Sequence, residues 1–231
     1  MSKLIDFESY PISPVLDRLL QDKTTKQNII FATDAYLENG PDFAETAQIT
    51  VDKLLGYMKI KIQPRVEKAA EEQLARTRKK AEVFTPSWIV NKMNNHCDEE
   101  WFGRPNVFNT EAGTSWVTSS APITFDRKLS WKGYVDSKRL EITCGEAPYI
   151  LSRYDAATGD IIPIKDRIGI LDRKLRVVSE NAADDAEWLK WAERALQSSY
   201  GYEFQGDNLL IARGNVLHTF AEYSEERFAA R

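Results

Sequence analysis

Two stretches of this chain carry residues whose types and spacing could bind a nucleoside cofactor. The later stretch runs from Arg139 to Tyr149 and reads RLEITCGEAPY. It predicts a strand that carries an acidic residue, Glu141, near its end and then turns at Cys144 and Gly145 into a helix. Glycine at such a turn lets backbone N–H groups approach a ligand at the helix N-terminus. The same turn is also compatible with plain loop geometry, and Glu141 with a capping or salt-bridge role.

A second acidic strand end lies at Glu203, within the aromatic stretch YGYEF. In a doubly wound sheet, ligands bind beyond the carboxyl ends of the parallel strands. A nucleoside cofactor needs a glycine turn beneath its ribose and amino-acid part, and a carboxylate that accepts hydrogen bonds from the ribose hydroxyls. The order of the two strands therefore assigns the first role to Gly145 and the second to Glu203.

The earlier stretch is EVFTP, from Glu82 to Pro86, and an apolar helical pattern follows it. Thr85 is predicted as the N-cap of that helix and Pro86 as part of its first turn. Together, the two stretches resemble the cofactor half of the amino-directed adenine DNA methyltransferases of restriction-modification systems. The chain is similar to the proteins called restriction endonuclease subunit M. The resemblance implies that Phe84, Thr85 and Pro86 close over S-adenosyl-L-methionine.

The resemblance also covers the glycine motif and a second motif near the end of the chain. The cofactor-binding residues that it implies there are Glu141, Cys144, Gly145 and Glu203. The family usually has proline where this chain has Ile142, and a second glycine where it has Ala147. The methyl group of Ala147 is expected to narrow the approach to the methionine part of the cofactor. The residues that match the second motif are Ala212, Arg213 and Asn215.

The loop that holds the methyl acceptor in this family is missing from the sequence. It reads Asn/Asp-Pro-Pro-Tyr/Phe, and it binds and stacks on an adenine that has left the duplex. The chain has nine prolines, and no two are adjacent. The resemblance therefore implies a truncated or split DNA adenine methyltransferase or modification subunit, with no catalytic residue of its own. A C-terminal half or a partner subunit would carry the loop.

Two alternatives stay open. The first is a non-catalytic DNA-binding or assembly subunit that retains the methyltransferase fold. The second is an unrelated helical protein in which the Cys144-Gly145 turn is a coincidence.

Double-stranded DNA is the partner that the resemblance implies, and one basic cluster could contact it. The cluster consists of Arg76, Arg78, Lys79 and Lys80, directly before the EVFTP stretch. It is either the solvated face of a charged helix or a phosphate-binding surface. The net charge of −4 and the pI near 5.4 give no support for DNA binding by the molecule as a whole.

The predicted fold class is α/β, a helix-rich and partial Rossmann-like methyltransferase domain with an N-terminal helical region. The boundaries are 1–83 for the helical region and 84–231 for the cofactor-binding half. The predicted helices cover residues 11–22, 44–82 (either continuous or broken before Pro64), 131–135, 147–154, 166–180, 185–199 and a last one from 207. Residues 100–130 are predicted to form a long loop with short strands.

The two cysteines, Cys97 and Cys144, form no regular framework and indicate a reducing compartment. The histidines and cysteines lack the spacing of a zinc site, so no metal is expected. Residues 1–10 do not resemble a signal peptide, and no stretch approaches the ~18 apolar residues of a spanning helix. We therefore expect a soluble, cytoplasmic protein with no membrane partner.

Overall fold

The computed structural model describes residues 4–57, 59–80, 82–126 and 128–229, with only the backbone for Lys79 and Lys80. Its α-helices are α1 (Leu16–Leu20), α2 (Val51–Leu55), α3 (Ala70–Lys80), α4 (Ser87–Phe102), α5 (Trp131–Asp136), α6 (Ile170–Asn181), α7 (Asp185–Gln197) and α8 (Gly206–Ala229). The strands are β1 (Asn109–Ala112), β2 (Ser115–Thr118), β3 (Arg139–Ile142) and β4 (Ser199–Tyr202). The predicted α/β class is confirmed at this level, with about 48% of the chain in helices and two small sheets.

Each sheet contains two strands. Strands β1 and β2 form an antiparallel hairpin, and β3 is hydrogen-bonded to β4. The amide of Arg139 donates to the carbonyl of Ser198 (3.0 Å), and the amide of Cys144 donates to the carbonyl of Tyr202 (2.8 Å). Because both partners advance along the chain in the same direction, β3 and β4 run parallel. Their carboxyl ends are therefore neighbours, as the sequence predicts for a cofactor edge.

The chain divides into two compact units, each built from separate segments. The first unit consists of Met1–Val83, Thr143–Glu146 and Tyr202–Ala221. Its core joins N-terminal apolar side chains to two residues of α8. The most deeply buried members are Ile12, Leu16, Leu20, Phe31, Ile49, Leu210 and Ile211. Helix α8 begins at Gly206, where an added Cβ would lie 1.9 Å from the carbonyl oxygen of Ile30, so only glycine fits.

The second unit consists of Phe84–Ile142, Ala147–Gly201 and Glu222–Arg231. Helix α6 contacts both α5 and α7 in it. Leu171, Leu175 and Trp188 are fully buried in this packing. Lys174 on α6 is also fully buried. Its ammonium group donates to the carbonyl of Ser137 (2.6 Å), two residues before β3, and to the hydroxyl of Ser198 (2.7 Å), directly before β4.

Two predicted helices differ from the structure for reasons of backbone chemistry. The pattern over 44–82 yields only α2, a 3-10 turn at Arg65–Glu67 and α3. Residues 59–62 between them are extended, with exposed lysines alternating with buried isoleucines, and Pro64 ends this segment. In place of the helix predicted over 147–154, the structure has a turn at residues 148–150, and Ala147 before it lies outside the helical region with a φ of +69°.

Across the described ranges, no helix combines the length and the apolar character that crossing a bilayer would demand.

Candidate cofactor site

The structure brings Gly145 and Glu203, which lie 58 positions apart in the chain, into direct contact. The amide of Gly145 donates a 2.7 Å hydrogen bond to Oε2 of Glu203. Both residues belong to the first unit. The two residues therefore lie together, and their part in a cofactor site stays a prediction.

The turn after β3 has an unusual backbone. Thr143 and Gly145 both have a φ of +55°, and Ala147 follows with +69°. Glycine adopts this left-handed region without steric cost, whereas a residue with a Cβ pays roughly 1–2 kcal/mol. Ala147 therefore adopts the conformation that a glycine would take at this position. Its side chain is only 1% exposed, so its methyl group packs inside the protein and does not extend toward solvent.

Glu203 is partly buried, and both of its carboxylate oxygens accept backbone hydrogen bonds. Oε2 accepts from the amide of Gly145, and Oε1 accepts from the amide of Gln205 at 2.9 Å. A carboxylate offers about four lone-pair sites, so each oxygen retains room for a further donor. Binding of ribose hydroxyls by Glu203 stays a prediction.

The remaining residues of the turn are held from inside the first unit. The thiol of Cys144 is 3% exposed and packs as a small apolar group. The side chain of Glu146 accepts a 2.6 Å hydrogen bond from the amide of Arg65. The side-chain amide of Asn215 on α8 donates to the carbonyl of Glu146 at 3.4 Å. Asn215 is one of the residues that match the second family motif, whereas no sequence signal predicts a role for Glu146.

Arg76 was predicted to contact DNA, and the structure contradicts this because Arg76 is only 4% exposed. Its guanidinium group lies 2.7 Å from Oε2 of Glu82 and 2.9 Å from Oδ2 of Asp207. Lys68 lies 3.5 Å from the same oxygen of Asp207. Two cations and two carboxylates thus form a charge-balanced buried group, and the sequence pattern of the charges gave no sign of their burial.

The Asp207 carboxylate is ionised within this group. Complete burial alone would raise the pKa of Asp207, but the charges of Lys68 and Arg76 and a hydrogen bond from Tyr36 hold it below its usual value. The hydroxyl of Tyr36 donates to Oδ2 of Asp207 at 2.9 Å. Burial in turn raises the pKa of Tyr36 well above its usual value. Tyr36 therefore stays protonated and acts as a donor.

Gln205 connects this buried group to the turn. Its side-chain oxygen accepts from Nη2 of Arg76 at 3.1 Å, and its side-chain nitrogen donates to Glu82 at 3.3 Å. Its backbone amide donates to Glu203, whose other oxygen accepts from Gly145. A continuous path of hydrogen bonds therefore runs from Glu82 to Gly145 through the first unit. Gln205 could not be identified from the sequence, since a polar residue before a helix has no distinctive signal.

The other predicted cofactor residues lie in the second unit. Phe84, Thr85 and Pro86 are partly buried. Helix α4 begins one residue later than predicted, with Pro86 rather than Thr85 at the N-cap position. The carboxylate of Asp155 supplies the missing cap by accepting from the amide of Ser87 at 2.7 Å. The closing role of these three residues stays a prediction.

Glu141 of β3 is buried and serves as a local cap. Its two carboxylate oxygens accept from the amides of Tyr149 (3.4 Å) and Ile150 (3.2 Å). This is the capping role that the sequence left open beside cofactor binding. A direct contact of Glu141 with a cofactor stays a prediction.

The rest of the predicted basic cluster lies in the last turn of α3 and consists of Arg78, Lys79 and Lys80. Arg78 is exposed, whereas the side chains of Lys79 and Lys80 lie outside what the structure describes. The DNA prediction therefore stands for these three residues and not for Arg76. In the part of the chain that the structure covers, no group of three or more His, Cys, Asp or Glu side chains could hold a metal ion.

Scans of the chain against protein-family models, curated proteins and solved structures find no match.

Proposed function

We propose that the chain is the cofactor half of an S-adenosyl-L-methionine-dependent DNA adenine methyltransferase, acting as a modification subunit on double-stranded DNA. The observation that carries the proposal is the hydrogen bond from Gly145 to Glu203. It joins a strand-turn motif and an acidic strand end at adjacent carboxyl ends of two parallel strands. This is the edge at which Rossmann-like folds bind nucleoside ligands.

The residues of the first unit fit a nucleoside cofactor. Gly145 is partly exposed at the tip of the turn, so a ligand can approach its backbone closely. Glu203 keeps lone pairs for ribose hydroxyls beside its two backbone donors. The sulfonium of the bound cofactor supplies the reactive methyl group. The protein's part is to bind the ribose and to orient the methionine portion.

The departure at Ala147 from the family pattern lies at a position where the backbone favours glycine. The backbone there has a φ of +69°, a region that glycine adopts without steric cost. The methyl group of Ala147 is buried. This backbone supports the proposal, and cofactor binding with alanine at this position stays a prediction.

The outward face of the β3–β4 pair supports the proposal that further polypeptide belongs to the enzyme. Leu140 and Ile142 on β3 are 51% and 68% exposed, and Tyr200 on β4 is 42% exposed. Parallel strands are normally covered on both faces. We propose that the half that carries the acceptor loop covers this face. The free thiols of Cys97 and Cys144 are compatible with a reducing, cytoplasmic location.

Cofactor affinity of a Glu203→Ala variant tests the proposal. Loss of charge-assisted hydrogen bonds to the ribose should weaken S-adenosyl-L-methionine binding by roughly 1–3 kcal/mol, or about 5- to 150-fold. Titration calorimetry on the folded variant measures this, and Glu225→Ala provides the control because Glu225 is an exposed glutamate of α8. Equal affinity of the Glu203 variant and wild type would remove Glu203 from the site. A folded wild-type chain that binds no cofactor would refute the proposal.

A second candidate function is a non-catalytic DNA-binding or assembly subunit. Both Glu203 oxygens already accept backbone amides, which is sufficient reason for a carboxylate at this position in a purely structural turn. This candidate predicts DNA binding by the assembled subunits without any affinity for the cofactor. Filter-binding with labelled DNA, run beside the calorimetry, separates the two functions.

A further inference from the structure

Gln205 links the buried Arg76–Glu82–Asp207 group to the residue pair of the candidate site. Its side chain contacts Arg76 and Glu82, and its own backbone amide donates to Oε1 of Glu203. We propose that Gln205 is a positioning residue that keeps the Glu203 carboxylate on the amide of Gly145. Only the consequence for cofactor affinity rests on the function proposed above.

The backbone on the C-terminal side of Gln205 is held by neighbouring backbone groups. The amide of Gly206 donates to the carbonyl of Phe31 at 2.9 Å. An added Cβ at Gly206 would meet the carbonyl oxygen of Ile30 at 1.9 Å. The chain is thus anchored on one side of Gln205. The side chain of Gln205 provides a second fixed point through its hydrogen bonds to Arg76 and Glu82. The two fixed points together orient the backbone amide of Gln205, which donates to Glu203.

Charge balance explains why position 205 has a neutral side-chain amide and not a carboxylate. Glu82 and Asp207 are paired with Arg76 and Lys68 within a group whose side chains are at most 4% exposed. A carboxylate in place of Gln205 would add an unbalanced buried charge, which is costly. The neutral side chain of Gln205 accepts a hydrogen bond from the cationic Arg76 and donates one to the anionic Glu82. It therefore binds both charged partners without adding a charge of its own.

Asn208 offers a matched control. It is 1% exposed, and its side-chain nitrogen donates to the same Glu82 oxygen at 3.2 Å. It has no hydrogen bond to Glu203 among those of the described residues. Gln205→Leu and Asn208→Leu each remove one amide from the same buried group, but only the first should loosen the contact between Glu203 and Gly145.

Amide hydrogen exchange measured by NMR tests this inference without any cofactor. We expect Gln205→Leu to speed exchange of the Gly145 amide by about tenfold beyond the change in global stability, as for one weakened hydrogen bond. Asn208→Leu should change that exchange only as far as its global stability changes. Gln205→Ala is the second variant if Gln205→Leu does not fold, and it is expected to act in the same direction because it also removes the side-chain amide.

Calorimetry with S-adenosyl-L-methionine on the same variants completes the test. We expect about tenfold weaker binding for Gln205→Leu and less than about twofold for Asn208→Leu. Equal exchange of Gly145 in the two variants overturns the positioning role, even if the wild type binds the cofactor. Faster exchange in a chain that binds no cofactor retains the positioning role and refutes the proposed function.

Discussion

Replacing Arg76 by methionine tests whether this arginine belongs to the buried group or to a DNA-binding face. The substitution removes a guanidinium group that lies 2.7 Å from Glu82 and 2.9 Å from Asp207. Two buried carboxylates then remain with Lys68, 3.5 Å from Asp207, as the nearest cation. Removing one partner of a buried ion pair typically costs about 3–5 kcal/mol, because the other partner keeps an uncompensated charge. A domain of this size has about 5–15 kcal/mol of stability in total.

The stability lost in the Arg76→Met variant should depend on pH in a defined direction. The pKa of Asp207 is lowered in the folded wild type, so its stabilising contribution is present above its unfolded pKa and disappears as pH falls through the folded value. Without Arg76, burial raises that pKa, and the carboxyl group can bind a proton while the chain stays folded. The difference between wild type and variant should therefore be largest near pH 7 and shrink toward pH 4.

Urea denaturation followed by circular dichroism at several pH values measures this difference. Arg78→Met is the matched control, since Arg78 lies on the same helix and is exposed. Its free energy of unfolding should stay within about 0.5 kcal/mol of wild type. A loss below about 1 kcal/mol for Arg76→Met, or equal losses for both variants, would refute the reasoning. Unchanged m-values are needed for the comparison to be valid.

Three further predictions concern pH, DNA and activity. Burial lowers the pKa of Lys174 to about 7. Between about pH 7 and 10.5 the unfolded chain therefore binds more protons than the folded chain, and the free energy of unfolding should rise with pH. Chemical denaturation at several pH values should show a smaller rise for Lys174→Met. In the complete assembly, the double variant Lys79→Ala/Lys80→Ala should reduce the slope of log affinity for DNA against log salt concentration by about two units. An unchanged slope would show that the cluster is only a solvated helix face. The isolated chain should transfer no labelled methyl group to DNA until the half with the acceptor loop is added. The reason is that the loop holds the adenine that has left the duplex. Robust transfer by the chain alone would contradict this prediction.

Local strand and turn chemistry made part of the site predictable from sequence. The stretches around Glu141 and Glu203 have the β-branched and aromatic residues of strands, and glycine at position 145 marks the turn between β3 and the following segment. These signals are short-range, so they located the two strand ends correctly. The meeting of Gly145 and Glu203 then follows from the parallel pairing of the strands.

Burial and backbone strain could not be predicted in the same way. Arg76 and Arg78 have the same side chain two positions apart, yet one is buried and the other exposed, because the helix turns by about 200° between them. Nor does a sequence show that Ala147 has a positive φ, since tertiary contacts impose that conformation against its own preference. Gln205 joins the two parts through contacts with Arg76 and Glu82, which lie 129 and 123 positions away in the chain.

The segmented first unit has a consequence for synthesis on the ribosome. Its core needs Leu210 and Ile211 from α8, yet its first segment ends at Val83. Roughly 130 residues separate these parts, and translation at about 5–20 residues per second takes roughly 6–25 s to make them. During that interval Leu16, Leu20 and the other N-terminal apolar side chains lack the helix that covers them. The nascent chain is therefore a predicted client for chaperones that bind early, before its last helix emerges.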